Sequence, residues 1–163
     1  MRALVAVLIA CAPGVTEAQD HQGCPMAKAA HQAQVDHRHQ HTTGVPTEGT
    51  RHHFLLAKDG GSIRLGVEDA GATDARDLIR GHLQAIARTF AAGDFSMPAA
   101  IHDQVPPGVE TMKARRNAIR FVYSETPEGG VVTLSTDDPD ARAAIHEFLR
   151  FQIHDHDTGD PTE

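Results

Sequence analysis

The chain has 163 residues, enough for one domain with a modest hydrophobic core. Its formal net charge at pH 7 is −7, which argues against nucleic acid as a partner. It contains two cysteines, and only Cys24 would remain after removal of an N-terminal signal, so we expect no internal disulfide.

Residues 1–18 have the features of an export signal. Arg2 supplies the positive start, Ala3–Ala12 is apolar, and Ala18 ends a short run suited to cleavage. The apolar run is shorter than the roughly 20 residues that span a bilayer. These features predict an exported, periplasmic protein. The alternative is a lipid anchor at Cys11, although the region before this cysteine is short for a lipoprotein signal.

Residues 19–50 contain few large apolar side chains. Burying them could not offset the conformational entropy lost when this segment becomes ordered, so we expect a flexible arm. The arm is rich in candidate metal ligands: Cys24, Met26, His37, His39 and His41. The alternating histidines would place three imidazoles on one side of an extended segment. Imidazole and thiolate are ligands of zinc and copper sites. A solvated linker without physiological metal binding is the alternative interpretation.

Residues 51–160 predict a single domain whose two halves, 51–95 and 118–160, resemble each other. The first half predicts two strands and a helix, near residues 52–58, 62–68 and 74–92. The glycine pair Gly60-Gly61 supplies the tight turn of its hairpin. The helix has an apolar stripe at helical spacing, formed by Ile79, Leu83, Ile86 and Phe90.

The connector, residues 96–117, contains adjacent prolines that exclude a central strand. The second half again predicts two strands and a helix, near residues 118–125, 130–136 and 139–155. Its hairpin has the pair Gly129-Gly130, and Asp140–Asp160 matches Asp74–Asp94 in length and in both end sequences.

The repeat predicts an α+β fold: a duplicated ββα unit that forms a four-stranded antiparallel sheet with two helices packed on one face. The two halves would be related by a pseudo-twofold axis. The other face of the sheet is partly apolar, through Leu55, Val122 and Val131. Such a face suits a homodimer built face to face.

Alignment of the two halves places three histidines opposite aromatic residues. His52 aligns with Phe121, His82 with Phe148, and His156 with Phe90. Positions that hold phenylalanine in one half predict partly buried histidines in the other, converging between the sheet and the helices. A buried imidazole needs a hydrogen-bond partner or a metal ion. The alternative is that each ring fills core space and bonds to a backbone carbonyl.

Three further histidines complete the candidate ligands of the domain: His53, His146 and His154. The last lies in the sequence His154-Asp155-His156-Asp157 at the end of the second helix. Cations are also stabilised at a helix C-terminus, so pairing with the helix end is an alternative to metal binding.

Several of these segments resemble a family of small exported bacterial proteins of unsettled function. The resemblance lies in His52-His53-Phe54, in the Asp59-Gly60-Gly61 turn, and in residues 82–95, 101–113 and 146–160. It covers residues 50–160 and supports the domain outline, and it implies no activity.

No sequence motif of a catalytic site or phosphate loop is present, so we expect no catalytic residues. The histidines instead predict a periplasmic binding protein for copper or zinc, acting as a buffer or carrier. One alternative is a small metal-dependent hydrolase or lyase with Asp155 or Asp103 as the base. The other is a dimeric interaction domain without a ligand.

Overall fold

A four-stranded antiparallel sheet lies at the centre of the computed structural model, which describes residues 25–163. The strands are β1 (Thr50–Ala57), β2 (Gly60–Val67), β3 (Arg120–Glu125) and β4 (Gly129–Ser135). They lie in the order β1-β2-β4-β3, so the two hairpins meet through β2 and β4. Each strand lies within two residues of its predicted ends, and the fold class is α+β as predicted.

The pairing of β2 with β4 fits the duplicated ββα unit. Ile63 lies opposite Val132, and these two residues are equivalent when the hairpins are aligned on their glycine pairs. In an antiparallel pair, a local twofold axis relates the two residues that lie opposite each other. The register therefore places such an axis at the centre of the sheet, between the two halves.

Five α-helices accompany the sheet within residues 25–163. They are α1 (Pro25–Thr43), α2 (Thr73–Ala91), α3 (Ser96–His102), α4 (Val109–Ala114) and α5 (Pro139–Asp155). The helix α2 lies on β3 and β4, α5 lies on β1 and β2, and their buried side chains join one hydrophobic core with the sheet. The Asp138 carboxylate caps α5 by accepting hydrogen bonds from the backbone N–H groups of Asp140 and Ala141.

The flexible arm predicted over residues 19–50 is wrong for its described part, since residues 25–43 form the helix α1. Val35 and His39, one helical turn apart, face the domain and are 0% and 2% exposed. Val45, which follows the helix, is also fully buried. The average composition of this segment did not predict the helix, because only a few inward-facing side chains hold an otherwise polar helix against the domain. The predicted signal sequence, the alternative anchor site Cys11 and the candidate ligand Cys24 lie outside the described residues.

Gly108 allows the connector to approach α5 closely. Its φ is +81°, in the left-handed region that favours glycine. A Cβ atom at this position would lie 2.1 Å from the carbonyl oxygen of Ala144. The backbone of α5 cannot move away without disturbing the core, so the glycine fixes how α4 packs against α5.

We expect Gly108→Ala to lower the free energy of unfolding by about 2–4 kcal/mol, because it adds backbone strain and a clash with α5. Chemical denaturation measures this change. Gly81→Ala is the matched control, because Gly81 lies in α2 with open space around its Cβ position. That control should raise the stability by about 0.5–1 kcal/mol. Equal effects of the two substitutions would contradict the packing described here.

The outer face of the sheet exposes Leu55 and Val122, at 40% and 51% of their surface. A homodimer through this face stays a prediction. The edge of β1 is covered by the chain's own C-terminal segment, where the Asp160 carboxylate accepts a hydrogen bond from the Phe54 backbone N–H at 2.9 Å.

Among residues 25–163, no helix combines the length and the apolar character needed to cross a membrane.

Candidate functional site: a buried histidine cluster

Four histidines from four different elements meet at one end of the domain, and we call them the histidine cluster. They are His39 of α1, His52 of β1, His82 of α2 and His156 at the C-terminal end of α5. The ring centroid of His39 lies 4.8 Å from that of His52, 5.5 Å from that of His82 and 6.1 Å from that of His156. The centroids of His52 and His156 are 5.0 Å apart.

The local structure explains why the three domain histidines point inward. His52 lies on the same side of β1 as Phe54, which is 3% exposed. His82 follows Ile79 on the buried stripe of α2. His156 caps α5, and its backbone N–H donates to the carbonyl oxygen of Gln152. The alignment of the repeats predicted that these three rings converge, and the structure brings them together around His39, which the sequence placed in a flexible arm.

His39 is the most unusual member of the cluster, because it is 2% exposed and neither ring nitrogen has a hydrogen-bond partner among residues 25–163. A buried imidazole must carry at least one N–H donor and one acceptor lone pair. Leaving a buried polar group without a partner costs about 1–3 kcal/mol. Within the described residues, no group therefore forms a hydrogen bond with the ring nitrogens of this side chain.

Burial keeps the cluster uncharged. It lowers the pKa of His39 to about 4 and that of His82 to about 3, and neighbouring imidazoles add to both effects. Burial also lowers the pKa of His156 to about 3 and holds that of His52 well below its ordinary value. All four rings are thus neutral at pH 7, the protonation state in which imidazole binds a metal ion.

Two spaces adjoin the cluster, and His39, His52 and His156 line both of them. The inner one is a cavity of about 40 Å³, bounded otherwise by mainly apolar side chains, with room for an ion or a water molecule. The outer one is an open cleft of about 550 Å³ between α1 and the start of β1. Its rim carries four carboxylates, which belong to Asp36, Glu48, Glu68 and Asp157.

The buried residue His102 lies beside the cluster, and the sequence prediction of ligands omitted it. Its ring centroid is 5.0 Å from that of His156. Its Nδ1 bonds to the Asp155 carboxylate, and its Nε2 lies 2.9 Å from Oε1 of Gln152. Both partners are acceptors, while Nε2 of Gln152 has no partner among the described residues. Both ring nitrogens of His102 are therefore already hydrogen-bonded.

The remaining candidate ligands lie away from the cluster. His53 points to the outer face of the sheet and bonds to Asp160 at 2.9 Å, and Nε2 of His146 donates to the Ala57 carbonyl at 2.9 Å. His154 is exposed. His37 and His41 are exposed on α1, where their rings stack with centroids 6.4 Å apart. The predicted grouping of His37, His39 and His41 is wrong, because a helix turns His39 inward and leaves the other two outside.

Within residues 25–163, no group of three or more His, Cys, Asp or Glu side chains is arranged so that it could hold a metal ion as it stands. The cluster brings the rings close without aiming their nitrogens at a common point. Comparison of the chain with protein-family models, with curated proteins and with solved structures found no match. Any function must therefore be inferred from the cluster and its surroundings.

Proposed function

We propose that the protein binds one transition-metal ion, zinc or copper, in the histidine cluster and acts as a buffer or carrier for it. The observation that carries this proposal is His39, which is buried without a partner for either ring nitrogen among the described residues and lies next to three further neutral imidazoles. A bound ion would supply a partner for one of these nitrogens, the one that carries the lone pair.

The ring separations support the proposal. Metal–nitrogen bonds of about 2.0–2.1 Å at tetrahedral angles place the centroids of coordinating imidazoles about 5 Å apart. Four of the six ring separations in the cluster run from 4.8 to 6.1 Å, and the one that involves His82 joins it to His39. These separations are close to that value, and the side chains would have to rotate to turn their nitrogens towards one ion.

The ligand type narrows the choice of metal. Neutral imidazoles suit zinc, copper, nickel and iron, whereas calcium and magnesium require oxygen ligands. The inner cavity is also lined by Met97, and a thioether beside imidazoles favours copper in its reduced state. Zinc and copper are therefore the two ions to compare directly.

A carrier fits the site better than a hydrolase or lyase does. The inner cavity of about 40 Å³ is too small for a substrate, which could approach the cluster only from the outer cleft of about 550 Å³. Burial would raise the pKa of Asp155, but hydrogen bonds from His102 and His31 outweigh it and hold that pKa below its ordinary value. Asp155 is thus a weak base, and both of its oxygens are bonded. Asp103, the other candidate base, is exposed.

Metal titration of His82→Phe tests the proposal. Phenylalanine is the residue that the second half uses at this position, so we expect the variant to fold with a stability change of no more than about 1.5 kcal/mol. Competition with a chromogenic chelator should show one tight site for zinc or copper in the wild type. The variant should bind at least about 100-fold more weakly, because one imidazole is lost.

His53→Phe is the control for this titration, because His53 lies on the outer face of the sheet. It should retain the affinity of the wild type. If the wild type binds neither ion tightly, or if His82→Phe binds as the wild type does, the cluster is not the metal site. The ligand-free interaction domain would then be the better interpretation.

A further inference from the structure

The cluster is divided between α1 and the rest of the domain. His39 lies on α1, whereas His52, His82 and His156 belong to the sheet and to the two helices packed on it. An ion held by all four rings would tie α1 to the domain. We infer that α1 is a lid that closes when the ion binds and opens to release it; this inference rests on the proposed function.

Besides His39, one buried apolar side chain, one hydrogen bond to α3 and two polar pairs hold α1 in place. In the hydrogen bond, Nε of Arg38 donates to the Ile101 carbonyl at 2.5 Å. Val35 is its one fully buried apolar side chain among residues 26–43. The ion pair of Lys28 with Asp157 is exposed on both sides, and the His31 ring that bonds to Asp155 is also half exposed. An exposed pair such as that of Lys28 with Asp157 contributes about 0–1 kcal/mol. Opening α1 would therefore have to break one apolar contact, the partly buried bond of Arg38 and two polar pairs.

His39 makes the closed position depend on the ion. Without an ion, closing α1 removes both ring nitrogens from water and gives them no partner among the described residues, which costs about 1–3 kcal/mol. With an ion, the same movement completes the coordination. A ligand shifts an equilibrium by its difference in affinity for the two states, and here only the closed state offers the fourth imidazole.

The chain has a pivot at the end of the lid. Gly44 directly follows α1 with a φ of +75°, and no atom lies within 4 Å of its Cβ position. Val45, the next residue, is fully buried in the core and anchors the chain. Rotation about Gly44 would therefore move α1 while Val45 stays in place. The cleft of about 550 Å³ lies along this movement, between Asp36 of the lid and Arg51 of β1.

Hydrogen exchange read by mass spectrometry, on the full chain, tests the lid. In the metal-free protein, the amides of residues 26–43 should exchange faster than those of α2 and α5. Saturating zinc should slow their exchange at least about tenfold, with a smaller change in α5. The same samples are titrated with zinc in parallel, so that binding and closure are measured separately.

The variant His39→Ala tests whether closure of α1 depends on binding of the ion by His39. We expect this variant to bind zinc more weakly through the remaining three rings, and at saturation its residues 26–43 should stay as exchangeable as without zinc. His37→Ala, on the exposed side of the same helix, should behave as the wild type does. Tight zinc binding without slower exchange in α1 would overturn the lid and leave the proposed function intact. Equal protection in His39→Ala would also overturn it, and absence of zinc binding to the wild type would overturn both.

Discussion

Replacing His39 with leucine is expected to have opposite effects on the metal-free and metal-bound protein. The metal-free variant should be more stable than the wild type by about 1–2 kcal/mol, because an apolar side chain of similar size removes two unsatisfied buried nitrogens. Its affinity for zinc should fall at least about 100-fold, because one of four ligands is lost. Chemical denaturation with and without zinc measures both effects.

His37→Leu is the matched control, since it introduces the same side chain on the exposed face of α1. It should change neither the metal affinity nor the stability by more than about 0.5 kcal/mol. A zinc affinity in His39→Leu equal to that of the wild type would remove His39 from the site. A large loss of stability in the metal-free variant would mean that the His39 nitrogens have partners after all.

The stability of the metal-free protein should fall steeply between pH 6.5 and about pH 4. The pKa values of His39, His82 and His156 are lowered to about 4, 3 and 3, so the unfolded chain takes up protons on these histidines before the folded chain does. The contribution of these histidines to the free energy of unfolding is fully present above about pH 6.5, the pKa of histidine in the unfolded chain. It is lost as the pH falls towards their pKa values in the folded protein.

Each such histidine adds up to ~1.4 kcal/mol per pH unit to this slope, so we expect a total loss of roughly 3–6 kcal/mol between pH 7 and pH 5. Urea denaturation at several pH values measures it. Carboxylates with lowered pKa values, such as Asp138 and Asp160, also contribute to stability, but this contribution is lost only below their ordinary pKa of 3.8. They therefore do not affect the change between pH 7 and pH 5. His82→Phe should have a shallower slope. Constant stability from pH 7 to pH 5 would contradict the burial of neutral histidines.

Most of the fold could be predicted from the similarity between the two halves of the sequence. Glycine pairs at both hairpins and matched apolar stripes in both long helices are strong local signals, so the strands and these helices could be placed to within two residues of their observed ends. The alignment of histidines with phenylalanines identified three members of the cluster, because matching positions of two similar ββα segments tend to face the same core.

The fourth member could not be recognised from composition. Residues 25–43 contain few large apolar side chains, and the helix buries mainly Val35 and His39 against the domain. That spacing of four residues is a weak signal among so many polar residues. His102 was missed for a different reason: its partners, Gln152 and Asp155, lie about fifty residues away in the sequence and meet it only through the packing of α3 near the end of α5.

X-ray absorption at the zinc edge tests the central claim most directly, because it counts the atoms bound to the ion. For the zinc-loaded wild type, we expect four nitrogen neighbours at about 2.0 Å with the outer-shell pattern of imidazole. His39→Ala should show three imidazoles and one oxygen, whereas His37→Ala should match the wild type. A spectrum with two imidazoles and several oxygens, lost in His37→Ala and retained in His39→Ala, would place the ion on the exposed face of α1 and contradict the buried site.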